Sequence, residues 1–346
     1  MRIVRFALAL ATWLGFAGVL AYLVATRYFA ESTWQTTVLL YLPHGLVLVP
    51  LAGLGLLLAL VGPRRLLVVL TGAVVIVLFP IMGLKLRGGS DATGPHLRLL
   101  TYNVDSGQRS IPEIVAQIGE AAPDIVLLQE SSAQVDDAVA AALPGFTMHH
   151  STQFLLASRY PIAAVELPPK VSAGGKERSP RFVGYTLDTP LGKLDIINVH
   201  PISPRDGFEE IRGEGLSREI ESGRVFAGDR HALMDNTELR RIQVDAIAAV
   251  VRHAAHPVIL AGDTNLPGGS AILAEGLSSL DDAFAEAGRG FGYTFPAHKY
   301  LPWMRIDRIF VGTGLRATRA EVGTHRGSDH HCLFADIEAV APHEKP

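Results

Sequence analysis

The sequence predicts two regions of different fold class, a membrane-spanning helical region followed by an α/β domain, and two observations carry that reading. Residues 6–26, 32–63 and 66–84 contain no Asp, Glu, Lys or Arg, and each tract is near or above the ~20 residues that cross a bilayer. Charges become frequent after residue 95, where short apolar runs alternate with stretches of helical periodicity.

The three uncharged tracts run almost back to back with few polar faces between them. That pattern argues for bilayer spans rather than buried helices of a soluble protein or a cleaved leader. Pro43, Pro50 and Pro80 are compatible with spans, because membrane helices tolerate proline, and they are expected to kink the second and third helices. Arg2, Arg5, Arg64 and Arg65 lie on one side of the spans, and Arg27, Lys85 and Arg87 on the other. The bias places the N-terminus inside and everything after residue 88 outside. A three-helix anchor is therefore expected over 1–87, a Gly-rich linker over 88–95, the α/β domain over 96–340 and a tail over 341–346.

Within the domain, apolar runs predict strands at 96–104, 124–130, 154–160, 182–189, 193–200, 257–263, 305–312 and 331–339. Helical periodicity predicts helices at 111–121, 133–142, 236–253 and 270–276. The domain holds 24 Lys and Arg against 33 Asp and Glu, a formal charge of −9. That balance disfavours a nucleic-acid partner, unless bound cations offset part of the acidic charge. One cysteine, Cys332, excludes an intrachain disulfide and a thiolate metal cluster.

Polar residues collect where the expected strands end: Asn103, Glu130, His200, Asp263 with Asn265, Asp307, and Asp329 with His330. Any one of them reads as a cap or turn former. Their recurrence over six elements points to strand ends converging on one rim. Carboxylates and amides suit a hard divalent cation such as Mg²⁺, and an Asp or His beside it can position or deprotonate water. The set is chemically adequate for phosphate-ester hydrolysis. No GxxxxGK[ST] loop, GxSxG elbow or zinc-type Cys/His spacing is present.

The ordered motifs "TYN", "PDIVLLQE", "INVH", "AGDTN", "YTFP", "RIDRIF" and "GSDHH", spread over residues 97–339, resemble the endonuclease/exonuclease/phosphatase family of DNase I-like nucleases, sphingomyelinases and inositol-phosphate phosphatases. The resemblance implies two packed mixed β-sheets flanked by helices, a four-layer α/β sandwich. It makes Glu130 the main metal ligand, with Asn103 in the metal set as well, orienting Glu130 or the phosphate, and Asp329 tied to metal or water. Asp263 and Asn265 would position the attacking water and phosphate oxygens, with Asp263 the favoured base, and Gly262 would let the backbone turn closely beneath the bound phosphate. His330 would contact the scissile phosphate, with Asp307 orienting it, and His200 matches the strand-end histidine of the DNase I and sphingomyelinase branches. Arg240, in "NTELRRIQ", is expected to brace the active-site loops or contact substrate, and Arg181 to do similar work. His331 and Cys332 read as packing residues, and His149 and His150 as having no catalytic role. The implied cofactor is Mg²⁺, with Mn²⁺ an alternative.

A catalytic domain tethered so close to a span favours a lipid-linked phosphate, diphosphate or phospholipid as substrate, with the bilayer as partner. The arrangement resembles bacterial membrane proteins associated with teicoplanin resistance, whose implied substrate is an undecaprenyl diphosphate carrier. The alternatives are an extracytoplasmic nuclease that scavenges phosphate and a noncatalytic membrane binding module. The 201–235 loop is expected to be either a lid or a solvated connection.

Overall fold

The computed structural model describes residues 2–211 and 231–340. The tail and most of the 201–235 loop lie outside the described residues. Two compact units emerge: Met1–Leu86 together with Pro267–Ala271, and Arg87–Leu266 together with Ile272–Pro346.

The first unit contains α1 (Arg2–Tyr28), α2 (Trp34–Tyr41), α3 (Leu48–Leu60) and α4 (Leu67–Ile76). α1 and the stretch Arg64–Ile81 containing α4 are each long and apolar enough to cross a membrane. The second expected span is not one straight helix, because Trp34–Tyr41 and His44–Leu60 meet at 89°. Their break falls at Leu42 and Pro43, where proline lacks an N–H and forces the preceding residue out of helical geometry; Leu42 is extended, with ψ 151°. The expected three-helix anchor thus becomes two sufficient helices, or three if the bent pair is one span. Pro50 does not kink α3, since it sits in the first turn, where its missing N–H has no helical partner to lose. Pro80 lies in a π-helical turn, Val77–Ile81.

Val19, Leu51, Leu58, Leu70, Ala73 and Val77 pack together between these helices, while Phe6, Trp13, Leu14, Leu57 and Val68 are exposed. A helical unit that is apolar both inside and out is what a hydrocarbon environment requires. Glu31, the single carboxylate among residues 1–90, is buried in this unit. It accepts hydrogen bonds from Ser270 Oγ and from Ala271 N at 2.8 Å.

The second unit begins with β1 (His96–Asn103), α5 (Ile111–Ala121), β2 (Ile125–Gln129), α6 (Ala133–Ala142), β3 (Thr147–Ser151) and β4 (Phe154–Ser158). It continues through β5 (Ile162–Glu166), β6 (Val171–Ala173), β7 (Lys176–Arg178), β8 (Phe182–Thr189), β9 (Gly192–Val199), α7 (His231–His253) and β10 (Val258–Asp263). The remaining elements are α8 (Ala271–Gly276), β11 (Asp281–Asp282), α9 (Ala283–Ala287), β12 (Asp307–Val311), β13 (Leu315–Val322) and β14 (Leu333–Ala339). One mixed sheet has the order β13-β14-β1-β2-β4-β3, a second β11-β12-β10-β9-β8-β5, and β6 and β7 form a small ribbon. The two large sheets have matching centres. β1 is parallel to β2 and antiparallel to β14, as β10 is parallel to β9 and antiparallel to β12.

The alternation of strand side chains divides the core into three layers. Leu97, Leu99, Ile125 and Leu127 meet Ile196, Ile259, Ala261 and Ile309 between the sheets. Leu100, Tyr102, Val126 and Leu128 face α5 and α6 on one outer side, and Val199, Val258, Leu260 and Phe310 face α7 on the other. Two buried amides cross the seam near its open end. Gln129 Nε2 donates to Asn198 Oδ1 at 2.7 Å, and Asn198 Nδ2 donates to Leu128 O at 3.1 Å. Such a satisfied pair holds the register of the sheets without leaving a buried polar group unpaired.

All eight expected strands and four helices are present, with shifted ends; α7 starts five residues earlier than expected. The elements not foreseen are β3, β5, β6, β7, β11, β13 and α9. Most are edge or short strands with polar residues on an exposed face, so they lack the continuous apolar run that marks a central strand.

Candidate active site

The alternation that builds the core also delivers the polar residues. On β1 the inward positions run Leu97, Leu99, Thr101, Asn103; on β10 they run Ile259, Ala261, Asp263; on β12, Val311, Ile309, Asp307. His200 continues the inward row of Leu194, Ile196 and Asn198, one residue past β9. Asn103, His200, Asp263 and Asp307 are the last inward positions of their strands, so the site is the open end of the intersheet core. Glu130 breaks the rule, since it has the parity of Val126 and Leu128, which face the helices. Its φ of 50° turns it back to the seam.

Positive φ recurs around the rim. Asp105 (46°), Ser106 (55°), Glu130 (50°), Arg181 (56°) and Asn265 (52°) all occupy the left-handed region, a conformation that non-glycine residues hold only where surrounding structure enforces it. Two of them belong to matching turns. Asp105 N donates to Asn103 Oδ1 at 3.1 Å at the end of β1, and Asn265 N donates to Asp263 Oδ1 at 2.8 Å at the end of β10. Asp263 and Asn265 therefore meet through a tight turn rather than by facing one side of an extended strand. The side-chain amide of Asn265 donates to Pro201 O at 3.0 Å.

Asp263 Oδ2 is the hub. Asn103 Nδ2 donates to it at 3.1 Å and to Glu130 Oε1 at 3.3 Å. His200 Nε2 stands 3.6 Å from it and 3.5 Å from Glu130 Oε1, while His330 Nε2 stands 3.7 Å away on the other side. Behind His330, Nδ1 bonds Asp307 Oδ2 at 2.8 Å, and the Phe295 ring covers the imidazole at 4.8 Å between centroids. Ser328 Oγ fastens this turn to the end of β1 by donating to Asn103 O at 2.8 Å.

The two histidines carry different charges. Burial pushes His200 down to about 4, so it is neutral. Its Nδ1 bonds the side-chain Oε1 of Gln153 at 2.7 Å, which places the proton on Nδ1 and leaves Nε2 an acceptor near Glu130 and Asp263. Burial also opposes charge on His330, but Asp307 and Asp263 outweigh it and push that imidazole up to about 10, so it is protonated at neutral pH. Burial raises the Asp263 carboxyl above the usual range, the His330 charge opposing it.

The open side is different. The Glu130 side chain is 39% exposed, and burial together with Asp263 raises its carboxyl against the Asn103 hydrogen bond. Asp105 is raised by burial and by the charge of Asp329. Among the described residues, none of Glu130, Asp105 and Asp329 forms an ion pair with Lys or Arg. Asp105 feels the charge of Asp329 and Glu130 that of Asp105, so the three carboxylates are electrostatic neighbours, and carboxylate oxygens are the donors that hard divalent cations prefer. Asp263, Asp307 and His330 also bring ligand atoms within 4.8 Å of one another. There, however, the proton of the imidazolium already supplies positive charge.

This sandwich is found in known proteins. The sequence pattern of the Endonuclease/Exonuclease/phosphatase family matches residues 100–330. The chain belongs to that family. No curated protein matches it in sequence. Among solved structures, an endonuclease/exonuclease/phosphatase from Bacteroides vulgatus is similar with TM-score 0.53 and 17% identity over 71% of this chain and 100% of that one. D. rerio TDP2 complexed with single-strand DNA product aligns with TM-score 0.52 and 16% identity, over 71% and 100% of the two chains. Bacteroides thetaiotaomicron mannosyl-6-phosphatase aligns with TM-score 0.50 and 17% identity, over 70% and 99%. At such identities the likeness is one of fold.

Within this family member, the structure gathers Asn103, Glu130, His200, Asp263, Asn265, Asp307, Asp329 and His330 at one rim. Three expectations change. Asn103 is a donor bridge rather than a metal ligand, because its NH₂ faces the carboxylates and its oxygen takes the Asp105 N–H. Arg240 is fully buried on α7, where Nη2 donates to Thr237 Oγ1 at 3.1 Å, so it braces the fold rather than touching substrate. Gly262 serves strand packing rather than a phosphate, since a Cβ there would lie 1.9 Å from Val199 O on β9. Asp105, Gln153 and Ser328 were missed. Asp105 had a signal: Asn103-Val104-Asp105 mirrors Asp263-Thr264-Asn265. Ser328 stood inside the motif "GSDHH", whereas Gln153 had no signal, because its partner His200 is distant in sequence.

Proposed function

We propose that this chain is a membrane-anchored, divalent-cation-dependent phosphoester hydrolase acting on a lipid-linked phosphate or diphosphate, or on a related phospholipid. The observation that carries it is a protonated His330 and the carboxylate Glu130, which has no Lys or Arg ion pair among the described residues, on either side of Asp263, in a family member that also has helices long enough to span a bilayer. The acidic domain and the apolar helices favour lipid over nucleic acid. The Lys and Arg bias at the ends of the apolar tracts adds that it is a multi-pass membrane protein with the domain outside the cytoplasm.

Glu130, Asp105 and Asp329 are the residues that would hold Mg²⁺, or Mn²⁺, which when bound stabilises charge on a phosphoryl oxygen. His330 donates a charged hydrogen bond from Nε2 to the phosphate, and Asp307 keeps it protonated and aligned. Asp263 Oδ2 takes the proton from the attacking water, held by Asn103 and by the Asn265 N–H on its other oxygen. His200 Nε2 accepts a hydrogen bond from that water and helps to aim it.

The test is a panel of polyprenyl diphosphate, sphingomyelin, inositol phosphate and DNA, offered to purified full-length protein in detergent with Mg²⁺ or with chelator. Lipid diphosphate is expected to release phosphate, and chelator, Asp263→Ala or His330→Ala to stop it. Hydrolysis of DNA alone would replace this reading with a nuclease, and inactivity on every substrate would leave a binding module. A C-terminal reporter fusion reads the side of the membrane.

A further inference from the structure

Residues 291–304, "FGYTFPAHKYLPWM", form a hairpin whose base is closed by paired backbone hydrogen bonds between Phe295 and Met304. That base belongs to the site. Phe295 covers His330, Ala297 N donates to Asp329 O at 2.6 Å, and His331 N donates to Thr294 O at 2.8 Å. The tip points away from this support. Tyr300 is 89% exposed and Leu301 72% exposed, and half-buried Trp303 follows them.

The described part of the second unit exposes two other large apolar side chains, Val165 and Leu167, at the opposite edge strand β5 and just beyond it. Adjacent exposed Tyr and Leu side chains are costly to leave in water, and the cost is recovered when hydrocarbon covers them. Between this apolar tip and the carboxylates stand exposed His298 and Lys299, with Arg109 and Asp329 within electrostatic reach of His298. From the site outward, the order is protonated His330, the neutral His298 beside the cationic Lys299, then the apolar tip. A phosphate headgroup followed by a hydrocarbon chain has the complementary order.

We propose that Tyr300 and Leu301, on the 297–303 tip, grip the hydrocarbon chain of the phosphate-bearing lipid whose headgroup occupies the site, making this loop the specificity element for chain length. The proposal rests on the lipid reading above. Its occupant is the substrate's own hydrocarbon rather than the surrounding bilayer.

The experiment uses full-length protein in detergent, with a long-chain polyprenyl diphosphate and a short, water-soluble prenyl diphosphate as paired substrates with the same reacting group. Wild-type protein is expected to prefer the long chain by kcat/KM. Tyr300→Ser with Leu301→Ser should reduce that preference by roughly tenfold, chiefly through KM, since loss of a few buried methylenes has that effect. Tyr300→Phe with Leu301→Met should retain it. A thermal unfolding midpoint reports whether the double variant is folded. A wild-type preference that the serine variant keeps overturns the loop proposal alone. Equal kcat/KM on both chains in the wild type also overturns it, leaving the diphosphate reading intact. Hydrolysis of neither diphosphate removes the lipid reading, and the loop's role falls with it.

Discussion

The turn at the end of β1 and the turn at the end of β10 use the same backbone device with opposite chemistry. In each, the second polar residue has a left-handed φ and its N–H closes on the side chain two residues back. On β1 the inner residue is the neutral Asn103 and the outer one the half-buried Asp105; on β10 the inner residue is the carboxylate Asp263 and the outer one Asn265. The difference teaches why the rim has two electrostatic halves. A carboxylate turned inward beside Asp307 is balanced by the proton on His330, whereas Asp105, turned outward, is raised by burial and by the charge of Asp329.

Exchanging the inner groups should have the largest effect. Asp263→Asn removes the base and one charge that keeps His330 protonated, and hydrolysis is expected to fall by about 10³–10⁴-fold in kcat. Glu130→Gln acts on the open half, where a loss of about 10²–10³-fold is expected together with a higher Mg²⁺ requirement, read by metal titration.

Asp307→Asn sharpens the comparison through pH. His330 is raised in the folded protein, so its contribution to stability is complete below about 6.5, its unfolded value, and is lost as pH rises through about 10. Without the Asp307 charge the folded value drops, so the alkaline limbs of both activity and stability should move toward neutrality. The pH–rate profile and pH-dependent unfolding measure this, with about 10–10²-fold lost activity expected at neutral pH. The smallest effect belongs to Asp105→Asn. Keeping the turn hydrogen bond but removing the charge should cost roughly tenfold or less in activity and appear mainly as weaker metal half-saturation.

Much of the domain was legible because its central strands are buried on both faces and read as unbroken apolar runs, such as "IVLLQ" and "VILAGD". Edge strands were not, since "TMHHS" and "KER" carry the polarity of loops. The site was legible as a list of polar strand ends, yet its geometry was not. Glu130 reaches the rim only because its backbone turns left-handed against the strand's alternation, and Asn103 turns its NH₂ to the carboxylates because its oxygen is taken by Asp105. The bend between α2 and α3 sat at a visible proline, whereas its 89° angle did not.

By itself the sequence determined which residues could be buried, where the strands run and which polar groups end them, because hydrophobic periodicity and local turn chemistry act over a few residues. Tertiary structure decided which carboxylates share a space, which histidine keeps its proton and that Glu31 meets Ser270. Those outcomes depend on burial and on charges brought within a few ångströms from positions as far apart as residues 31 and 270. Desolvation and Coulomb interaction are properties of that assembled environment rather than of any local stretch of chain.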